Sequence, residues 1–578
     1  MKKITLALFA LLFTSINAQT LLKDINPAGT IGSNPERLTA VGDKLFFTAD
    51  DGVNGSELWV SDGTEAGTTL VKDINIGIAS GCDPSVYIEL IDFNGKLFFA
   101  ANDGSTGIEP YLSDGTSSGT SKIKEIYGPF LGGNGSYPRF GAVLGDEILF
   151  NAAENSSGVA NEELGKTDGT EAGTVLVKEI NTTARSQPRY LTEMNGKIYF
   201  SAADASTGKE LWVSDGTENG TSLLKDINPG VGNSQSKDLY KMGDEIFFTA
   251  YTFNEGVELW KTDGTTAGTV LVKDIVNGSM GSNPKKFSSA GNKLYFNANG
   301  NELWTSDGTS TGTVLISSYV YLNNLITFKD ELYYIADDGT YGKELWKYDG
   351  STTQMVLDIH ATADAFNSNP SFEVHGSRMF FAANTGVGDY GLWQTDGTTA
   401  GTIAVPNQAN DANQPAFLTS VGTTLFYQAY DYSASGTGKE LYSFKTFSTS
   451  EQTETACPSF DFFGTTYSQS GEYTHSLVNS IGYDSIITLK LTIDCGSAIN
   501  VLDENLITIY PNPATNQLSI VNDELSILKI EIIDVLGKIV KTVTENSNSL
   551  NVSDLTKGTY FIKIQTIKGQ INKRFVKM

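Results

Sequence analysis

Histidine and cysteine are scarce in this chain, with three of each among 578 residues. His360, His375 and His475 stand alone, in no H-E-x-x-H or H-x-x-x-H spacing, which argues against a zinc centre of that kind. No nucleophile elbow or phosphate-binding loop stands out. Positive charge is also in deficit: 40 Lys and Arg against 67 Asp and Glu give a net charge of −27 and a pI near 4.5. Nucleic-acid binding needs cations to neutralise phosphates, so this balance speaks against it. Beyond the N-terminus there is no apolar run of membrane-spanning length. At the N-terminus, Lys2 and Lys3 precede an apolar stretch over residues 4–13 and a small, polar exit at 15–18. This pattern predicts a secretory signal cut between Ala18 and Gln19. Export places Cys82, Cys457 and Cys495 in an oxidising compartment. Cys457 and Cys495 are close enough in sequence to form a disulfide, leaving Cys82 free; the alternative is three unpaired thiols.

What the chain has in abundance is glycine, 59 residues, and a repeat. Glu57–Leu58–Trp59–Val60–Ser61–Asp62–Gly63–Thr64 returns with its Asp-Gly pair at Asp114, Asp168, Asp215, Asp263, Asp307, Asp349 and Asp396, about every 48 residues. Each unit reads as four strands joined by Gly- and Asp-rich turns. In the first unit these are residues 38–41, the nearly continuous apolar run 44–49, residues 57–60, and 69–74 with charges suited to an outer edge. The second strand recurs nine times. The ninth unit lacks a fourth strand, while residues 21–25 form a fourth strand with nothing before it. The two orphans predict a ring closed by the N-terminal strand. The fold class is therefore all-β: a large propeller of nine four-stranded repeats, or eight with one irregular unit, followed by two small β-sandwich-like domains.

The repeated side chains read mainly as scaffolding. All six tryptophans (Trp59, Trp212, Trp260, Trp304, Trp346 and Trp393) occupy one repeat position and suit filling between sheets, with stacking on sugars as the alternative. Each Asp-Gly-Thr turn suits local hydrogen bonding. Calcium is the alternative there, although the turn lacks the D-x-[DN]-x-[DN]-G spacing. No cofactor is otherwise expected. Glu57, Glu109, Glu163, Glu210, Glu258, Glu302, Glu344 and Glu440 are expected to bond locally at a strand start. A catalytic carboxylate pair would be a unique asymmetry, and none is visible. Broken symmetry is best sought around Glu109–Pro110–Tyr111 and Leu164–Gly165.

Motif, period and flanking strands together resemble the ELWxxDGT-repeat proteins of secreted bacterial chains, over roughly residues 20–447. Trp59 becomes Tyr111, Gly165 and Tyr442 in three units, and Gly391 replaces the glutamate in another. Residues 448–455 read as a polar linker. The segment after it, with Cys457, Phe460, Gly464–Thr465–Thr466–Tyr467, Tyr473 and Asp484–Ser485, resembles a small surface-protein module of Bacteroidetes-type bacteria. Tyr483 stands where that module usually has a Cys, which puts the family's usual disulfide in doubt and makes Cys495 a candidate substitute partner for Cys457. The last segment carries Ile509–Tyr510–Pro511–Asn512–Pro513–Ala514, Val535–Leu536–Gly537–Lys538, Gly558, Tyr560 and Lys573–Arg574–Phe575–Val576–Lys577–Met578. It resembles the type A C-terminal sorting domain of the type IX secretion system, which implies passage through the outer membrane and engagement of that machinery.

The domains expected are thus a signal peptide (1–18), the propeller (19–447), a linker and small β module (448–498) and the sorting domain (499–578). The reading that follows is a secreted or outer-membrane cell-surface protein that binds extracellular polymers, glycan or protein, for adhesion. The rivals are a secreted hydrolase or lyase and a purely structural matrix component. The symmetry of the carboxylates leans away from an enzyme.

Overall fold

The structure, a computed structural model, describes residues 19–27, 32–82, 89–127, 135–154, 161–368, 370–386, 390–406, 413–431, 438–445, 448–478, 484–494, 502–522, 525–544 and 547–578. Residues 1–18 and Cys495 lie outside them. Contacts divide the chain into two compact units, the first holding the repeats and the second most residues from Ser450 onward.

The apolar run Leu45–Phe46–Phe47 shows how the repeats assemble. Side chains alternate across a strand, so Leu45 and Phe47 pack on one side with Trp59, Leu22, Phe426 and Leu441, while Phe46 packs on the other with Leu58, Leu97 and Phe99. One sheet thus serves two neighbours, which is why its second strand is apolar on both faces, Leu45–Phe46–Phe47 in a row. Eight four-stranded antiparallel sheets follow in chain order, over 36–72, 90–122, 139–178, 189–225, 237–273, 285–318, 321–357 and 372–404. In a ninth, residues 413–445 supply three strands and Thr20–Lys23 the fourth, with Leu21 opposite Tyr442. First strands of successive sheets lie side by side, including Glu36–Val41 beside Asn413–Val421, so they line the centre of a propeller.

The tryptophan position is a filler between sheets: Trp59, Trp212, Trp260 and Trp393 are buried. Where Gly165 takes this place, a void of about 60 Å³ opens beside Phe150 and Val175. A Cβ on Gly165 would meet the Phe150 ring at 3.5 Å, ordinary contact, and its backbone is not left-handed. Gly165→Ala is therefore expected to stabilise the fold by about 0.5–1 kcal/mol, through lower unfolded-state entropy and partial filling. Urea unfolding reads it; a lower midpoint would show that the void has another use.

The Asp-Gly-Thr turn is closed by its own atoms. Asp62 Oδ1 accepts from Thr64 N (2.9 Å) and Thr64 Oγ1 (2.7 Å), Thr64 Oγ1 accepts from Gly67 N (2.9 Å), and Thr68 Oγ1 donates to Thr64 O (2.7 Å). Gly63 takes φ 85°, the left-handed region glycine enters freely. The same bonds recur at Asp114, Asp168, Asp215, Asp307 and Asp396. The lysines of the fourth strands, which read as an exposed edge, instead reach the next sheet. Lys72 Nζ donates to Thr120 O (2.8 Å), Lys225 Nζ to Thr269 O (2.6 Å) and Lys23 Nζ to Thr68 O (2.6 Å).

In the second unit, the polar stretch read as a linker is a strand, Ser448–Ala456, in one sheet with Asp484–Ile493 and Gly471–Val478. Its four threonines and serines beyond Ser448 include β-branched residues that suit an extended chain, and Glu451 pairs with Lys490 Nζ at 2.9 Å. Phe460–Phe462 and Thr465–Tyr467 form a hairpin. Cys457 is disulfide-bonded. Further on, a three-stranded sheet (Ile507–Tyr510, Gln517–Asn522, Ser549–Asn551) faces a four-stranded one (Ile527–Asp534, Ile539–Val543, Gly558–Thr566, Gly569–Lys577). They share a core of Leu518, Ile520, Ile530, Ile532, Ile562, Ile564 and Phe575, a small sandwich.

Candidate functional site

Apart from Glu302, the repeated glutamates do not bond locally at the strand start, as the sequence suggested. They reach across to the loop that leads into the following sheet. Glu210 accepts from Ile227 N (2.8 Å) and Ser234 N (2.8 Å), and Glu163 from Ile180 N (2.9 Å) and Ser186 N (3.3 Å). Glu440 accepts from Ile25 N (3.1 Å), Ser33 N (2.8 Å) and Ser33 Oγ (2.6 Å), across the ring's seam. Glu57, Glu109, Glu258 and Glu344 do the same. A buried carboxylate needs such donors. Burial still pushes the carboxyls of Glu57, Glu163, Glu210, Glu344 and Glu440 up to about 7 against the pull of these donors. Glu302, in the irregular sixth sheet, is only half-buried and accepts from its neighbour Trp304 Nε1 at 3.0 Å. These acids hold loops; they are not presented to a ligand.

The loops they hold cross one end of the ring. Among the described residues, six of them contain a left-handed residue whose N–H bonds the sheet behind it: Asn34, Tyr137, Gln187, Gln235, Asn283 and Gln414, with φ between 47° and 54°. Three residues after each of these, the first strand bulges at a second left-handed residue, Arg37, Phe140, Tyr190, Asp238, Lys286 and Phe417, and the first strand of the seventh sheet bulges likewise at Asn324. Left-handed backbone is costly for bulky side chains. Where the eight Asp-Gly turns need only the conformation, this chain uses glycine at every one. At the bulges it spends seven positions on six residue types instead. Tyr190 and Phe417 are exposed there. Structural constancy with chemical variety is the pattern of a presented surface. The signal was in the sequence, in the residues around each Asn-Pro, but only the backbone angles make it legible.

Two cavities open on this end. One, of about 510 Å³, lies between the eighth and ninth sheets, among Tyr390, Gln414, Phe417, Gln428, Tyr430 and Lys439. Lys439 Nζ sits 5.0 Å from the Tyr430 ring centre. It adjoins Gly391, the unit in which the glutamate clip is missing. The other, of about 250 Å³, lies against the third sheet, between the loops that enter and leave it; Tyr127, Tyr137, Arg139, Asn151, Glu162 and Arg185 line it.

The remaining sequence candidates sit elsewhere. Gln19 is buried in the ninth sheet, donating to Val405 O (3.1 Å) and accepting from Tyr427 Oη (3.0 Å), while Ala18 lies outside the described residues. Cys82 is free and buried, and burial pushes its thiol well above the usual range. Residues 115–119 and 308–312 have G-x-S-x-G spacing, but both are copies of the Asp-Gly-Thr turn, where no strand leads into a helix. Among the described residues, no three His, Cys, Asp or Glu side chains gather as metal ligands would, and no helix is long and apolar enough to cross a membrane.

Comparison with known proteins adds the address. Residues 508–578 match the secretion system C-terminal sorting domain family. The protein is therefore a secreted or outer-membrane cell-surface protein carrying the type IX secretion tag. No curated protein matches the chain. Among solved structures it is similar to the β-propeller domain of the trilobed protease of Pyrococcus furiosus, at 11% identity and TM-score 0.29, covering 54% of this chain and 95% of that one. It is similar to PorZ, a surface component of the type IX secretion system of Porphyromonas gingivalis, at 11% identity and TM-score 0.24, covering 95% and 82%. It is also similar to puromycin hydrolase, at 14% identity and TM-score 0.35, covering 64% of this chain and 60%, less than two thirds, of the hydrolase.

Proposed function

We propose that this is an extracellular binding protein that engages polymers, glycan or protein, through the loop-bearing end of its propeller, for adhesion at or near the cell surface. One observation carries the reading. The repeated acids are consumed in holding loops, while the loops expose unlike residues at structurally equivalent left-handed positions and open two cavities lined by aromatic and polar groups. Aromatic rings with amide and hydroxyl partners suit sugar and peptide chains. A closed, rigid ring keeps its blades alike while their loops diverge. The sorting domain supports the extracellular setting.

The test exposes the full chain to immobilised extracellular polysaccharides and proteins, and scores retention and soluble products together. Retention without products is expected. Products from any polymer would replace this reading by the hydrolase or lyase one, and no retention on any polymer would leave the structural-matrix reading in its place.

A further inference from the structure

The chain has six arginines: Arg37, Arg139, Arg185, Arg189, Arg378 and Arg574. Four of them, Arg37, Arg139, Arg185 and Arg189, fall on the loop-bearing end, in the loops and first strands of the first, third and fourth sheets. In a protein of net charge −27 this concentration is not what solubility requires. Arginine is the residue suited to planar, two-pronged recognition of oxyanions.

The cavity against the third sheet is where two of the four converge. Arg185 Nη1 pairs with Glu162 Oε1 at 3.0 Å, so the one carboxylate lining the cavity is already neutralised. Arg139 is different. It is half-buried, its Nε is fully buried, and among the described residues its guanidinium has no hydrogen-bond acceptor. A buried N–H without an acceptor is costly. Its guanidinium carbon lies 5.2 Å from the ring centre of Tyr137, which orients the group without satisfying its donors. Tyr137 is itself the exception in its series. Asn34, Gln187, Gln235, Asn283 and Gln414 place an amide at this left-handed position, and among the described residues of the series Tyr137 alone puts a bulky ring there, at φ 47°. Strain, an unanswered guanidinium and a void of about 250 Å³ coincide at one place.

We propose that this cavity binds the anionic group of an acidic polysaccharide. Arg139 would take the carboxylate or sulfate, Tyr127 and Tyr137 would cover a face of the sugar ring, and Asn151 and Ser136 would border it. The proposal rests on the polymer-binding reading and names its ligand class. Overall acidity does not oppose it: at 0.15 M salt the screening length is about 8 Å, so the charges lining the cavity dominate over remote ones.

The probes are polygalacturonate, dextran sulfate and neutral dextran, each run against the full chain by affinity electrophoresis at 0.15 M salt. Three variants accompany the parent. Arg139→Ala removes the fork, and Arg139→Lys keeps charge without it. Tyr137→Asn installs the residue that the first and sixth sheets already carry at the same backbone angle, so it folds as they do. The expected result is retention by an acidic polymer and not by dextran, weakened at least tenfold by Arg139→Ala, partly restored by Arg139→Lys and weakened by Tyr137→Asn. Retention of polygalacturonate alone assigns a carboxylate; equal retention of dextran sulfate assigns oxyanions generally. Acidic-polymer retention that survives Arg139→Ala and Tyr137→Asn overturns the site. Binding of only neutral polymers overturns the ligand class while leaving polymer binding intact. No retention of any polymer, here or in the wider panel, overturns both.

Discussion

Glu210→Ala is expected to destabilise the propeller by about 2–5 kcal/mol, because it strands two buried backbone donors, Ile227 N and Ser234 N, and leaves a void where the carboxylate was. The matched control is Glu302→Ala. Its carboxylate is half-buried and serves only the indole of Trp304, so its loss is expected to stay within about 1 kcal/mol. Chemical denaturation of the two variants against the parent reads the difference. Equal, small losses would mean that the glutamates decorate the loops rather than hold them. A pH series sharpens the point. Burial first, and nearby Asp226, raise Glu210 from an ordinary carboxyl value to about 7, against the pull of Ser234 and Ile227. The folded protein thus binds a proton more tightly than the unfolded chain. This contribution to stability is complete below about pH 4.5 and is lost as pH rises through 7. Glu210→Gln cannot ionise and lacks that slope. The variant should therefore gain on the parent in melting temperature between pH 5 and 8, whatever its fixed penalty for replacing one acceptor oxygen by an amide nitrogen. Parallel curves would show that Glu210 is ionised throughout.

The repeat made the sheets readable from sequence, because a four-strand unit announces itself through alternation, turn glycines and a doubly covered apolar strand. The orphan strand at residues 21–25 could be placed for the same reason: one unit lacked what another had spare. The sorting domain was readable through several spaced motifs. What strand patterns do not encode is contact at a distance. Glu57 and Lys72 are ordinary polar residues in their strands, yet one holds a loop and the other reaches the next sheet. The candidate site was hidden for a further reason. Arg139, Tyr137 and Phe140 sit in loop and bulge positions where the sequence shows no period, and backbone angle alone reveals that they are equivalent to Asn34, Arg37, Gln187 and Tyr190. The cavity beside Gly391 was missed because the sequence marks a missing glutamate without showing that Tyr390, Tyr430 and Phe417 meet there. The polar stretch at 448–456 misled because Ser and Thr favour linkers and strands alike.

Leu22→Asp is expected to open the ring at its seam. Leu22 is buried with Ile25, Leu45, Trp59, Phe426 and Leu441, drawn from the first and ninth sheets, and a carboxylate there has no cation against it in that cluster. A buried unpaired charge is among the few substitutions that exceed about 4 kcal/mol. The damage should be local before it is global. Thr20–Lys23 pairs with Gly438–Lys445 through Leu21 with Tyr442 and Lys23 with Leu441. Releasing it strips that strand of its outer partner and breaks the Glu440 bonds to Ile25 and Ser33. Hydrogen exchange should therefore quicken first at Leu441 and Ser443, while Ile198–Ser201 in the fourth sheet stays protected. The released edge, flanked by Tyr442 and Phe444, is an invitation to self-association, so a rising sedimentation coefficient should accompany the loss of protection. Leu22→Ala, with an expected cost of about 2–4 kcal/mol and no charge, separates the two effects: it should soften the seam without exposing the edge. If exchange quickens evenly across all nine sheets in Leu22→Asp, the ring unfolds as a single cooperative body and the seam is no weaker than any other junction.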